Sequence, residues 1–95
     1  MKRERFANVW DAIEPDPAKA EILKLASMLL LELQRFIAEN NYTQAEAAKI
    51  LGVTQPRISE LMNSKLSRFT LNSLIEMAIR AGLEVSINFN MKKAA

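Results

Sequence analysis

The sequence predicts a mainly α-helical domain with five helices and one short β-strand at its C-terminal end. Three observations predict this architecture. Apolar residues recur every three or four positions through most of the chain, which is the period of an amphipathic helix. Two glycines and three prolines are few for 95 residues, so long helices fit better than a many-turned β-fold. Residues 85–89 instead alternate between apolar and polar side chains, as a strand does.

The first helix is expected inside an N-terminal arm, residues 1–16. Apolar residues between Phe6 and Ile13 fall on one helical face, and the prolines of Glu14–Pro17 end that helix. Phe6 and Trp10 are candidate partner-binding residues. The alternative is that Trp10 covers the core of its own domain.

The second helix is predicted from Pro17 to Glu39, with Asp16 as its N-cap and proline at its first position. We expect its buried face to contain Ile22, Leu25, Ala26, Leu29, Leu33, Phe36 and Ile37. Leu30 and Leu31 widen the apolar surface beyond this stripe. They either pack within the subunit or belong to a partner surface.

Two short helices should follow and meet at Gly52. Thr43 and Glu46 form a capping box that begins the third helix, and Gly52 suits the left-handed residue that ends it. Thr54 caps the fourth helix, which buries Ile58, Leu61 and Met62. The fifth helix begins at Leu71, and the domain of residues 17–82 ends near Gly82.

Residues 83–91 are predicted to form the strand, with Val85, Ile87 and Phe89 on one side. One strand alone cannot pair its backbone groups. It can pair with the same strand of a second subunit, with an extended stretch near the N-terminus, or with another protein by strand addition. We favour the first arrangement, a two-fold dimer.

The segment from Thr43 to Asn63 has the form of a helix-turn-helix that reads duplex DNA. A helix fits the major groove, where its N-terminal residues contact base edges. The second helix begins with polar residues that interleave with its buried set, and glutamine and arginine can bond adenine and guanine bidentately. The predicted base-reading residues are Thr54, Gln55, Pro56, Arg57 and Ser59.

Phosphate contacts are expected on both sides of this helix. The N-terminus of the preceding helix offers free N–H groups, which suit a phosphate. Lysines nearby add electrostatic attraction, as does Arg68. The predicted phosphate-binding residues are Thr43, Gln44, Lys49, Asn63, Ser64 and Lys65.

On these residues the chain resembles the lambda-repressor-like (Cro/CI, or XRE) helix-turn-helix family. The matching segments include Thr43-Gln44, Leu51-Gly52-Val53 and Ile58-Ser59. Asn8-Val9-Trp10 and Gln55-Pro56-Arg57 are similar to the HigA-like antitoxin and regulator branch of that family. The resemblance implies a dimeric repressor of a palindromic operator, in which the residue matching Gln44 contacts a phosphate and braces Gln55. It also implies, for that branch, a ribonuclease toxin partner of the RelE/HigB type.

Composition excludes several other functions. The chain has no Cys and no His, which removes thiolate metal sites, most zinc sites and the usual catalytic triads. We therefore expect no enzyme activity, metal or cofactor. A net charge of +2 permits DNA binding but argues against a purely electrostatic architectural binder. The N-terminus has no signal-peptide pattern, so we expect a cytoplasmic protein.

Two functions remain in competition. The leading one is a sequence-specific DNA-binding repressor of the antitoxin type that controls its own operon. The alternative is a protein-interaction module that mainly neutralises a RelE/HigB-type toxin, with weak or partner-dependent DNA binding.

Overall fold

The structure, a computed structural model, describes residues 15–91, which form four α-helices and one short 3-10 helix. The helices are α1 (Pro17–Glu39), α2 (Gln44–Leu51), α3 (Gln55–Met62) and α4 (Leu71–Arg80), and the 3-10 helix spans Leu66–Arg68. Four of the five predicted helices are therefore present. The remaining one is the first in chain order. It was predicted within residues 6–13, which lie outside the described residues together with its Phe6 and Trp10.

Helix α1 begins and ends where its local sequence signals indicate. The Asp16 carboxylate accepts a hydrogen bond of 3.0 Å from the Ala18 amide, and Pro17 occupies the first helical position. At the other end Asn41 has a φ of +55°, the left-handed conformation that asparagine tolerates. These caps fix the direction of the chain into α2.

The core lies where α1 packs against α4 and α2 packs against α3. Five large side chains are fully buried there: Leu33, Leu51, Ile58, Leu61 and Leu74. Each stabilises the fold by about 1.5–3 kcal/mol relative to an exposed position. The core therefore holds α3 in place through Ile58 and Leu61, while the rest of that helix stays at the surface.

The buried face of α1 differs from the predicted one. Leu30 is only 3% exposed and belongs to the core, whereas Ile22 and Leu25 are 49% and 43% exposed. Leu31 is half-buried. Apolar residues surround much of this helix, so its sequence did not specify which stripe α4 would cover. Leu30 is consequently not available as a partner surface, and that prediction is corrected.

Residues 83–91 form no strand within the described part of the chain. The segment leaves α4 through Gly82, with the Leu83 amide bonded to the Ala78 carbonyl at 3.0 Å, and then extends over the surface. Ile87 and Phe89 are 68% and 91% exposed. A strand is defined by the ladder that it makes with a neighbour, and residues 15–91 supply none. The predicted strand is therefore not present in this part of the chain.

Candidate nucleic-acid interface

The N-terminus of α2 is closed by the predicted capping box. The Glu46 carboxylate accepts from the Thr43 amide at 2.8 Å, and the Thr43 hydroxyl accepts from the Glu46 amide at 3.1 Å. These two bonds use two of the four backbone N–H groups that a helix N-terminus leaves over. The amides of Gln44 and Ala45 remain for a phosphate, and both residues are exposed.

The turn between α2 and α3 depends on Gly52, which has a φ of +72°. Its amide and that of Val53 both bond the Ala48 carbonyl, and this closes the end of α2. A β-carbon at Gly52 would lie 2.7 Å from the Cδ atom of Arg80. The side chain of Arg80 therefore packs directly over the turn, while its guanidinium pairs with Glu76 at 2.9 Å.

The N-terminus of α3 is open. Thr54 occupies the N-cap position, but its side chain makes no capping hydrogen bond. Asp16, Thr43 and Thr70 do make such bonds at the other three α-helices of residues 15–91. Thr54, Gln55 and Pro56 are all exposed, so their polar groups are available to a ligand.

Arg57 lies on the flank of α3 and is held there by three contacts. Its Nη1 atom donates to Glu60 Oε1 at 3.0 Å and to the Arg68 carbonyl at 2.8 Å. Its guanidinium carbon lies 4.1 Å from the centre of the Phe69 ring, a cation–π distance. Arg57 is one of the predicted base-reading residues, but its side chain is half-buried, with 35% exposed. In the structure its guanidinium joins α3 to the loop that follows.

The C-terminal end of α3 is anchored to α1 by Gln34. The Nε2 atom of this residue donates to the Leu61 carbonyl at 2.7 Å and to the Ser64 hydroxyl at 2.9 Å. Ser64 has a φ of +57°, a left-handed conformation that is uncommon for a residue other than glycine. Asn63 turns its amide back onto α3, with a bond of 2.8 Å to the Ser59 carbonyl. Both predicted phosphate residues are thus already bonded within the protein.

Two lysines next to the helix-turn-helix have no ion pair within residues 15–91. Lys49 lies in the last turn of α2 and Lys65 lies just after α3, and both are exposed. Arg68 is 63% exposed but has its Nε atom 3.7 Å from Glu60 Oε2. The free positive charge near α3 therefore comes from the two lysines.

A separate apolar groove lies between α1, α4 and the C-terminal segment. Its volume is about 520 Å³, and its lining includes Leu25, Met28, Ile75, Val85 and Ile87. The exposed Phe89 and Met91 extend the same segment beyond the groove. Contiguous exposed apolar surface of this kind is typical of an interaction site.

Within residues 15–91 no cluster of acidic side chains is suited to a metal ion. No helix there is long and apolar enough to cross a bilayer. The surface of α3 is suited to binding a ligand. Its N-terminus carries free polar groups, and its opposite face packs against the core.

Comparison with known proteins agrees with this geometry. A family model described as "Helix-turn-helix domain" matches residues 13–90. The chain belongs to the helix-turn-helix family. A solved structure called "Putative XRE Family Transcriptional Regulator" is 31% identical, with a TM-score of 0.75 over 81% of this chain and 90% of that one. No curated protein matches the chain.

These matches place the helix-turn-helix domain in the XRE-like group and confirm the fold expected from the resemblance. Proteins of this type are DNA-binding transcriptional regulators and not typically enzymes. The HigA-like branch is not distinguished by either match.

Some residues that shape the helix-turn-helix surface were not found from the sequence. Gln34 reaches the end of α3 across 27 and 30 positions of the chain, and no local pattern indicates such a contact. Glu60 was detectable, because a carboxylate three residues after an arginine on a helix commonly pairs with it. Within residues 15–91, Gln44 and Gln55 are not hydrogen-bonded to each other, so the structure does not contain the bracing that the resemblance implies.

Proposed function

We propose that this protein is a sequence-specific repressor that inserts α3 into the major groove of an operator. The observation that carries the proposal is the open N-terminus of α3. Thr54 and Gln55 present uncommitted polar side chains at the end of a helix that is otherwise fixed by Ile58 and Leu61. Major-groove recognition needs a rigid helix with free donors and acceptors at its first turn.

The base-reading set follows from position on α3. Gln55 can bond the N6 and N7 atoms of an adenine, and Pro56 can contact a thymine methyl group. Thr54 and Ser59 are shorter polar groups at the same surface. Arg57 would reach a guanine only after leaving its present partners. Its contribution to binding is therefore the difference between its bonds to the guanine and its bond to Glu60.

The phosphate set lies on both sides of this helix. The free amides of Gln44 and Ala45 suit one phosphate, and the unpaired Lys49 and Lys65 suit others. Phosphate contacts fix register without reading sequence. Removing a base-reading side chain should therefore change sequence preference, whereas removing a phosphate contact should weaken binding to every sequence.

Equilibrium binding to the duplex that the wild type selects tests these roles. Gln55→Ala should weaken binding to that duplex by about 1–3 kcal/mol and relax base choice at one position. Lys49→Ala and Lys65→Ala should weaken binding to every duplex and reduce the slope of log affinity against log salt by about 0.9 each. Lys19→Ala, on the exposed start of α1, is the matched control and should leave both quantities unchanged. Unchanged affinity and base choice for Gln55→Ala would show that the reading surface is assigned wrongly.

We further propose that two copies bind a palindromic operator. The support is the exposed apolar segment with Val85, Ile87 and Phe89: the first two residues line the groove of α1 and α4, and Phe89 lies beyond it. Pairing of residues 83–91 from two chains would satisfy their backbone groups and cover these side chains. A two-fold dimer places two α3 helices about 34 Å apart, on successive major grooves.

Sedimentation equilibrium tests the dimer. Wild type should sediment as a dimer and Ile87→Asp as a monomer, because a charge would be buried between the segments. Asn90→Asp is the control, since it places the same charge on the alternate side of the segment. Dimers of equal affinity for all three proteins would exclude this interface.

An antitoxin role is the second candidate function. It rests on the resemblance to the HigA-like branch and on the aromatic residues Phe6 and Trp10 of the N-terminal arm. The partner would be a ribonuclease toxin of the RelE/HigB type. Removing residues 1–14 separates the functions: loss of toxin binding with retained DNA binding supports a dedicated arm with Phe6 and Trp10. Unfolding of the truncated protein would support a core role for that arm instead.

A further inference from the structure

One carboxylate, that of Glu60, faces two arginines at the edge of α3. Its Oε1 atom lies 3.0 Å from Arg57 Nη1, and its Oε2 atom lies 3.7 Å from Arg68 Nε. Glu60 is the one acidic residue of α3. The carboxylate is 28% exposed, so solvent screens it less than it screens the other ion pairs of residues 15–91.

The three residues form one unit with Phe69. Arg57 rests on the Phe69 ring and also bonds the Arg68 carbonyl, so its guanidinium has a fixed direction across the loop. A negative charge at this place reduces the attraction of both arginines for phosphate. It also repels the phosphates of DNA, and this repulsion is not offset unless the DNA makes base contacts as well.

We propose that Glu60 is a specificity-determining residue that withholds Arg57 and Arg68 from DNA lacking the correct sequence. This inference rests on the proposed DNA-binding function. Non-specific binding comes almost entirely from phosphate neutralisation, so withholding two cations weakens it directly. Operator binding gains in addition from base contacts, and there the oriented Arg57 can exchange Glu60 for a guanine edge, a bidentate partner.

The size of the effect follows from counterion release. Each additional phosphate contact steepens the slope of log affinity against log salt by about 0.9, which is about 3.5-fold in affinity between 200 and 50 mM salt. Loss of the Glu60 charge, which frees one to two contacts, therefore raises the ratio of non-specific affinity at 50 mM salt to that at 200 mM salt by about 3.5-fold to 12-fold. Operator affinity should rise less, because Arg57 exchanges Glu60 for a guanine edge in the operator complex, so that loss of the carboxylate frees mainly Arg68 there.

The test compares Glu60→Gln with wild type on a random-sequence duplex and on the duplex that the wild type selects, from 50 to 200 mM salt. The amide still accepts a hydrogen bond from Arg57, so the fold should be retained, and thermal unfolding checks this. The matched control is Glu21→Gln. It removes the carboxylate of another i, i+3 pair, with Lys24 at 3.5 Å on α1, and changes the net charge equally.

The expected result for Glu60→Gln is a steeper salt slope on random DNA, by about one to two contacts, and a smaller ratio of operator to random affinity. Glu21→Gln should change neither. Slopes and ratios equal to those of Glu21→Gln would overturn the inference.

Arg68→Gln supplies an independent measurement. In the presence of Glu60 it should lower the salt slope by clearly less than about 0.9, because Arg68 shares the charge of the Glu60 carboxylate. In the Glu60→Gln background it should lower the slope by about 0.9. Equal losses in both backgrounds would contradict the withholding role. If wild type and every variant fail to bind either duplex, the proposed function fails, and that outcome differs from equal slopes among proteins that do bind.

Discussion

Replacing Gly52 by alanine should destabilise the domain by about 1.3–2.5 kcal/mol through two separable costs. The first is backbone strain: the left-handed conformation at φ +72° costs an L-residue about 1–2 kcal/mol. The second is steric, because the new β-carbon would lie 2.7 Å from Cδ and 3.1 Å from Nε of Arg80. That side chain can rotate away, but it would then leave Glu76, an exposed helical pair worth about 0.3–0.5 kcal/mol.

Gly82→Ala separates the two costs. Gly82 has a similar φ of +86°, and nothing lies within 4 Å of a β-carbon placed there. It should therefore show the strain of about 1–2 kcal/mol without the steric part. Urea unfolding measures the free energy of unfolding of both variants. The midpoint temperature of thermal unfolding should fall by about 4–8 °C for each kcal/mol lost.

Combining Gly52→Ala with Arg80→Ala completes the cycle. In the Arg80→Ala background, Gly52→Ala should lower the free energy of unfolding by no more than Gly82→Ala lowers it in the wild-type protein. The reasoning is refuted if Gly52→Ala leaves stability unchanged. It is also refuted if removing the Arg80 side chain leaves the penalty at position 52 above that of Gly82→Ala.

Two further predictions concern α1 and the loop after α3. Leu30→Ala should cost about 2–5 kcal/mol of unfolding free energy because that side chain is in the core, while Leu31→Ala, half-buried, should cost clearly less. Equal losses in urea unfolding would contradict the corrected face of α1. Ser64→Gly should be nearly neutral, because it relieves left-handed strain of about 1 kcal/mol but removes a hydrogen bond from Gln34 of similar worth. In a Gln34→Ala background the same change should stabilise the protein, and an unchanged effect would show that the two residues are not coupled.

Local signals predicted much of this fold. The capping box of Thr43 and Glu46, the left-handed Gly52 and the N-cap Asp16 each depend on residues within a few positions of one another. The geometry of such motifs is decided by the backbone, so the bounds of α1, α2 and α3 followed closely from the sequence. The position of α3 against the core followed likewise from the spacing of Ile58 and Leu61.

Contacts between distant segments were not predictable in the same way. Leu30 and Leu25 are both leucines on an apolar helix, and only the packing of α4 decides that the first is buried and the second exposed. The sequence did not reveal the contacts of Arg57 with the loop after α3, because Arg68 and Phe69 are 11 and 12 positions away. Residues 83–91 have the alternating pattern of a strand, but a strand also needs a neighbour, and residues 15–91 supply none.

Selection from random duplex DNA shows whether the first turn of α3 reads an operator. The comparison is between wild type and a Thr54→Ala/Gln55→Ala double variant. Both side chains are exposed and unbonded within residues 15–91, so the variant should fold as wild type does. The account predicts that wild type enriches a palindrome with half-site centres about 10 base pairs apart, and that the variant does not. Enrichment of the same palindrome by both proteins, or no enrichment by folded wild type at low salt, would contradict it.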